Sequence, residues 1–192
     1  MKLLLASKSP RRRQLLSELG FPIEFVDLNV DEHTDNPLPA NETAQFLAQR
    51  KASAYPIEQL KDDEVLVTAD TVVVHNDIVL GKPANRDEAI DMLRNLSGDR
   101  HTVYTGVCLR SNRQEYAFTE ATDVFFNPIS DEEIAYYVDN YRPYDKAGAY
   151  GIQEWIGMVA VERIEGCYYN VMGLPLARLY KELTCIMPLL AL

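Results

Sequence analysis

Four short stretches of the chain carry residue types suited to holding an anion or moving a proton. The first follows the opening apolar run over residues 2–6: Ser7-Lys8-Ser9-Pro10, then Arg11, Arg12 and Arg13. A helix N-terminus presents unpaired N–H groups and about half a positive charge, so it attracts anions. Ser7 and Ser9 add hydroxyl donors, and guanidinium groups make charge-assisted forks that suit phosphate. Successive helical residues point about 100° apart. Two of the three arginines are therefore expected on a ligand and the third toward solvent. A capped helix with a solvated basic start is the other reading.

The second stretch is Thr68-Ala69-Asp70-Thr71, inside the apolar run VLVTADTVVV. An unpaired carboxylate is costly to bury there. Asp70 therefore needs a cation, a metal or several N–H donors, and a purely structural Asp satisfied by backbone meets the same need. The third is Gly81-Lys82-Pro83, which holds a lysine on a constrained turn. A fixed ammonium suits phosphate; an ordinary turn lysine sits in water. The fourth, DKAGAYGIQ at 145–153, sets small residues around Asp145, Lys146 and Gln153. Small residues let backbone approach a ligand closely, and Gln153 has a donor and an acceptor with which to read a base edge. Gly-Ala turns are also common without any ligand. Val30-Asp31-Glu32 adds carboxylates and Lys51 a further cation. Cations for phosphate with carboxylates for Mg²⁺ form the inventory of a nucleotide phosphate enzyme. There is no Walker A pattern and no GxGxxG, which disfavours kinase-type and Rossmann readings. His33, His75 and His101 show no ligand spacing and read as surface or strand residues.

Alternating strands and helices must position these groups. Strands are expected over 2–6, 21–26, 64–74, 101–110, 115–126 and 155–164, with a hairpin turn at 75–77 leading into 78–80. Helices are expected over 11–19, 41–55, 85–96, 130–140 and within 170–183. Ser9 caps the first with Pro10 at its start and Gly20 at its end. Asn41 or Thr43 caps the second, whose Ala44, Leu47, Ala48 and Ala52 share one face. Ser130 and Glu133 make a capping box. Residues 27–39 read as an acidic loop. Such a mixture argues for an α/β fold with a mixed sheet.

Bulk properties narrow the classes. A chain of 192 residues suits one domain, 1–192, or one elongated two-lobed unit. The formal net charge of -10 argues against nucleic acid as a partner. MKLLLA runs straight into arginines without a small-residue cleavage site, so it does not read as a secretory signal. No apolar stretch approaches the ~20 residues of a membrane helix. Cys108, Cys167 and Cys185 are odd in number and widely spaced, which suits reduced, buried thiols in a cytoplasmic protein.

Taken in order, LASKSPRR, VDE at 30–32, the lysine of AQRKA, TADTVV, LGKP, LSGDRHTVYTGV, DKAGAYGIQ and NVMGLPL resemble the Maf proteins over nearly the whole chain. These are nucleoside triphosphate pyrophosphatases once named for an association with septum formation. The resemblance implies an α/β fold: a curved mixed β-sheet flanked by helices, two lobes and a central cleft, similar to the inosine triphosphate pyrophosphatase architecture. It implies hydrolysis of a nucleoside triphosphate to monophosphate and pyrophosphate with a divalent metal cation, Mg²⁺, Mn²⁺ or Co²⁺. The form of DKAGAYGIQ is similar to the branch acting on dTTP and UTP, a nucleotide-pool role linked to cell-division arrest. By resemblance Asp70 is the proton acceptor, and Arg11, Thr71 and Gln153 match positions that set substrate preference. Ser7, Ser9, Arg11 and Arg12 would cradle the triphosphate, Lys51 and Lys82 would face its outer phosphates, and Lys146 would contact substrate. Glu32 and Asp70 would hold the metal. The resemblance implies a homodimer; the thiols, the charge and the short apolar runs are what point to the cytoplasm, with no nucleic acid and no membrane as partners. The other function considered is a non-catalytic nucleotide-binding regulator of septum formation. Two departures stand out: Tyr168-Tyr169 replaces a small polar residue of many relatives, and Gln153-Glu154-Trp155 replaces the commoner Gln-Gly.

Overall fold

The computed structural model describes residues 2–31 and 38–186. Seven strands, β1 (Lys2–Ala6), β2 (Ile23–Val26), β3 (Glu64–His75), β4 (Ile78–Leu80), β5 (Arg100–Arg110), β6 (Glu115–Phe126) and β7 (Val161–Glu165), form one sheet. Its order is β2-β1-β3-β5-β6-β7, with β4 on β3. β1 pairs in parallel with β2 and β3, while β3–β4 and β6–β7 are antiparallel. The helices are α1 (Pro10–Ser17), α2 (Ala40–Ser53), α3 (Arg86–Leu96), α4 (Asp131–Tyr141), α5 (Trp155–Val159), α6 (Tyr168–Val171) and α7 (Leu176–Ile186). The expected mixed α/β architecture is therefore the one observed. None of the described helices is long and apolar enough to cross a membrane.

The chain divides into two compact units. The first comprises the described residues of Met1–Asp70, Thr105–Glu120 and Gly173–Leu192, and the second comprises Thr71–Tyr104 and Ala121–Met172. Three long strands change unit part-way: β3 after Asp70, β5 at Thr105 and β6 after Glu120. In the first unit Leu4, Ala6, Ala48, Ala52, Leu60, Leu66 and Cys108 make a core. Gly106 brings α2 unusually close to β5, because a Cβ there would lie 2.2 Å from the Ala44 carbonyl carbon. In the second unit α3 and α4 pack Leu93, Leu96, Ile134 and Tyr137 against Val103, Val124 and Phe126.

Local chemistry explains most element ends. Ser9 accepts from Arg12 N–H at 3.4 Å and caps α1. Ser130 and Glu133 close the expected capping box on α4. Asn76 and Asp77, with φ of 49° and 63°, form the two-residue hairpin loop between β3 and β4. Three expectations need correcting. α2 starts at Ala40 without a side-chain cap, and the Thr43 hydroxyl instead donates to the Pro39 carbonyl at 3.1 Å. The expected strand over 155–164 is α5 followed by β7, since a short apolar run fits either structure and Ile156 finds its burial as a helical residue. The final helix is two, α6 and α7, because Gly173 at φ 106° and Pro175 interrupt it. Cys108 is buried, as expected, and burial pushes its thiol up to about 12; Cys167 is half-buried and Cys185 exposed on α7.

Candidate active site

In the first unit β1 delivers the chain to the Ser7–Ser9 loop ahead of α1. Ser7 is buried, and its Oγ accepts from Ser9 N–H at 3.2 Å. The three arginines part company, as helical geometry requires. Arg12 donates through Nε to the Gly173 carbonyl at 2.8 Å and through Nη1 to the Ala69 carbonyl at 2.9 Å. It thus ties α1 to the residue before Asp70. Arg13 straps the loop from outside: Nε donates to the Ser7 carbonyl at 2.9 Å, Nη2 meets Asp27 at 3.0 Å, and the guanidinium stands 5.0 Å from the Phe25 ring centre. Arg11 lies half-buried on α1.

Asp70 has the partner that its burial demands. Lys51 Nζ reaches its carboxylate at 2.5 Å, and both side chains are about seven-eighths buried, with 15% and 13% exposed. The pair follows from the strand period. Thr68 and Asp70 are two apart and share the β3 face that meets α2. Thr68 donates its hydroxyl to the Ala48 carbonyl at 2.6 Å, and Arg110 donates to the Ala52 carbonyl at 2.8 Å, so α2 is pinned on both sides of Lys51. Lys51 also sits in the last turn of α2, where the helix dipole favours a cation. Asp31 is exposed; Glu32 and His33 lie outside the described residues. Among the described residues no group of three or more His, Cys, Asp or Glu is placed to hold a metal.

The second unit presents a different group. Thr71 follows Asp70 on β3 and is half-buried, and Lys82 is exposed on the turn after β4. That turn is stapled to the DKAGAYGIQ segment, because Gly148 N–H donates to the Gly81 carbonyl at 3.1 Å. Gly148 and Ala149 both adopt left-handed backbone, φ 69° and 60°. For Ala149 this costs about 1–2 kcal/mol, and it is buried, with its N–H donating to the Lys146 carbonyl at 3.1 Å. Lys146 turns its ammonium onto carboxylates of its own segment, Asp145 at 2.8 Å and Glu154 at 3.1 Å. Glu154 also accepts a hydrogen bond from the Tyr137 hydroxyl. Burial, then this bond, pushes the Tyr137 phenol well above its ordinary range.

Gln153 Oε1 is buried and has no hydrogen-bond partner among the described residues. The side chain lines a hollow of about 360 Å³ together with Ile152, Gly157, Met158, Arg163 and Tyr168. Trp155 packs edge-on against Tyr136 with ring centres 4.9 Å apart and is not among the lining residues. His75 pairs with Asp99 at 2.9 Å. His101 is fully buried, 2.7 Å from the Tyr150 hydroxyl and edge-on to Phe126. Both are strand residues, as expected.

Residue types alone pointed to Asp70, Lys51 and Gln153. They did not point to Tyr137 or to the Lys146–Glu154 pair. The one available signal is the Glu154 that follows Gln153, where the resemblance implies the commoner Gln-Gly.

Comparison with known proteins places these residues in context. A family model described as "Maf-like protein" matches residues 2–186. A protein of Bacteroides fragilis named dTTP/UTP pyrophosphatase is 50% identical over 183 residues, covering 95% of this chain and 94% of that one. A protein of Flavobacterium johnsoniae with the same name is 47% identical over 185 residues, covering 96% and 95%. Among solved structures, the Staphylococcus aureus Ham1 protein aligns with a TM-score of 0.53 over 95% of this chain and 100% of that chain, at 15% identity, a likeness of fold alone.

Proposed function

The chain belongs to the Maf-like protein family, and from that premise we propose that it hydrolyses nucleoside triphosphates, dTTP and UTP foremost, to the monophosphate and pyrophosphate. The observation that carries the proposal is the buried Lys51–Asp70 pair beside an arginine-bearing helix start. The relatives' names supply the reaction class, and the pair supplies chemistry that fits it. Nucleotide-pool clearance, with an effect on division, is the corresponding role. The enzyme would work in the cytoplasm as a homodimer, and the net charge of -10 supports the exclusion of nucleic acid.

Each residue then has a task. The α1 N-terminus, the Ser7 and Ser9 hydroxyls and Arg11 meet phosphate oxygens, and Arg12 holds α1 in place beside Ala69 while adding its own charge. Lys82 adds charge against the outer phosphates. Lys51 fixes the Asp70 carboxylate and moves to phosphate when substrate arrives. Asp70 accepts a proton from the attacking water, which requires it within about 3 Å of that water or one water removed. Pyrophosphate leaves with its charge neutralised by the surrounding cations.

Asp70 and Glu32 are the residues that would hold a divalent cation. Hard carboxylate oxygens fit Mg²⁺ or Mn²⁺, and such ions are commonly held by one or two carboxylates with phosphates and water completing the shell. A single carboxylate beside phosphate-binding cations matches that donor set. When bound, the cation would neutralise phosphate charge.

Gln153 gives the base preference. Its Oε1, which has no partner among the described residues, calls for an N–H donor. Uracil and thymine present N3–H on their pairing edge, whereas cytosine presents a lone pair there, so this acceptor favours the first two. Thr71 and Arg11 complete the positions that tune substrate choice.

The test is a panel of canonical and modified nucleoside triphosphates with Mg²⁺, Mn²⁺ and Co²⁺, scored for pyrophosphate. Release from dTTP and UTP ahead of CTP is expected. Tight nucleotide binding by calorimetry without pyrophosphate under any metal would replace the enzyme by a non-catalytic binder.

A further inference from the structure

We propose that Glu154 is a positioning residue that holds Gln153 in place through Tyr137 and Lys146. The inference rests on the pyrophosphatase reading for its kinetic consequence and on geometry for the rest. Gln153 occupies the third position of the turn 151–154, closed by Glu154 N–H donating to the Gly151 carbonyl at 3.0 Å. The two ends of that turn are joined a second time through one atom. The Tyr137 hydroxyl accepts from Gly151 N–H at 3.0 Å and donates to the Glu154 carboxylate. Lys146 Nζ holds the other carboxylate oxygen at 3.1 Å.

Every member is sheltered. Tyr137 is fully buried, Lys146 has 8% of its side chain exposed and Glu154 19%. Tyr137 is anchored from below by stacking on Tyr141 at 5.1 Å between ring centres and by the α3–α4 core. The carboxylate also explains Gly151, since a Cβ there would lie 2.9 Å from Glu154 Cδ. Ile152, beside Gln153, is buried in the same core. The segment is thus fixed on both flanks of Gln153 while the Gln153 amide keeps a buried acceptor without a partner among the described residues. A buried group left unsatisfied by a rigid frame is a group kept for a ligand. Half of such a network is worth less than none, so loss of the Glu154 charge releases the turn and leaves Lys146 facing Asp145 alone.

The experiment is a double-mutant cycle with an independent spectroscopic arm. In the Gln153 background, Glu154→Ala is expected to lower kcat/KM for UTP roughly tenfold, mostly through KM. In the Gln153→Ala background the same change is expected to cost less than about twofold, because there is no amide left to position. Glu154→Gln keeps an acceptor for the Tyr137 hydroxyl and should restore part of the loss. Equal losses in both backgrounds would overturn the proposal. The Gln153 side-chain amide resonances, identified by their absence in Gln153→Ala, supply the second readout. They should be resolved in the parent protein and collapse toward those of an exposed amide in Glu154→Ala and in Tyr137→Phe, which keeps the ring. Unchanged amide signals in both variants would also overturn it. If the parent protein releases no pyrophosphate, the functional reading falls, and the amide signals decide the positioning role alone.

Discussion

The two units use charge in opposite ways. In the first, two cations stand at helix ends and a carboxylate in mid-strand: Lys51 in the last turn of α2, Arg12 on the first turn of α1, Asp70 half-way along β3. Their partners are backbone carbonyls and one another, and in the proposed reaction a phosphate or a cation competes for them. In the second, the charges of Lys146 and Glu154 are consumed inside a buried network whose product is a fixed, uncharged amide at Gln153. The contrast separates two jobs. Both pairs are largely buried; on the proposed reading, charge that substrate can draw off its partner acts on any triphosphate, and charge locked into a closed network sets the shape that chooses a base. Substitutions at Lys51 and Asp70 should alter turnover of all nucleotides alike, and substitutions at Glu154 should alter preference.

The largest effect tests the first unit. Asp70→Asn is expected to reduce pyrophosphate release roughly 10³-fold, equally for UTP, dTTP and CTP, in a protein that still folds but melts lower because Lys51 loses its buried counter-charge. A loss confined to one base would erase the distinction between the units. Next is a stability effect that belongs to the second unit. Burial, with a smaller push from His75 against the pull of Asp123 and Asp99, lowers the His101 ring to about 4. The unfolded chain protonates this ring near 6.5, so below that pH the unfolded state binds more protons. Stability is then complete above pH 6.5, falls as pH drops toward 4, and levels off below, a total of about 3 kcal/mol. Urea midpoints for the parent protein and His101→Gln between pH 7 and 4 should show the difference narrowing with acid; parallel curves would contradict it. Smaller again, Gln153→Ala should lower kcat/KM roughly tenfold for UTP and little for CTP, flattening the preference. The smallest effect is that of Ser130→Ala, which removes the α4 cap at about 1 kcal/mol of stability. It should leave kcat/KM for every nucleotide unchanged.

Much of this architecture was legible in the residues. The apolar LLL run, the Ser9 cap with Pro10 and the Ser130–Glu133 box announce β1, α1 and α4, because their signals are local and each spans a few positions. Asp70 drew notice because an acid within VLVTADTVVV violates the pattern around it. Its partner, Lys51, is in the sequence only one lysine among several. The pairing depends on α2 lying across β3, a tertiary fact set by Gly106, Thr68 and Arg110 together. The α5 helix was hidden for a related reason: WIGMV suits strand and helix equally, and packing decides. The Tyr137–Glu154 link joins residues 17 apart on separate elements, and no local rule pairs a tyrosine in a helix with an acid in a turn.

The most direct measurement is product identification after incubating the parent protein and Asp70→Asn with UTP and Mg²⁺. UMP and pyrophosphate in equal amounts from the parent protein, and neither above background from the variant, are expected. UDP with orthophosphate, or undiminished pyrophosphate from Asp70→Asn, would contradict the assignment of Asp70 to the breaking of the bond between the α- and β-phosphates.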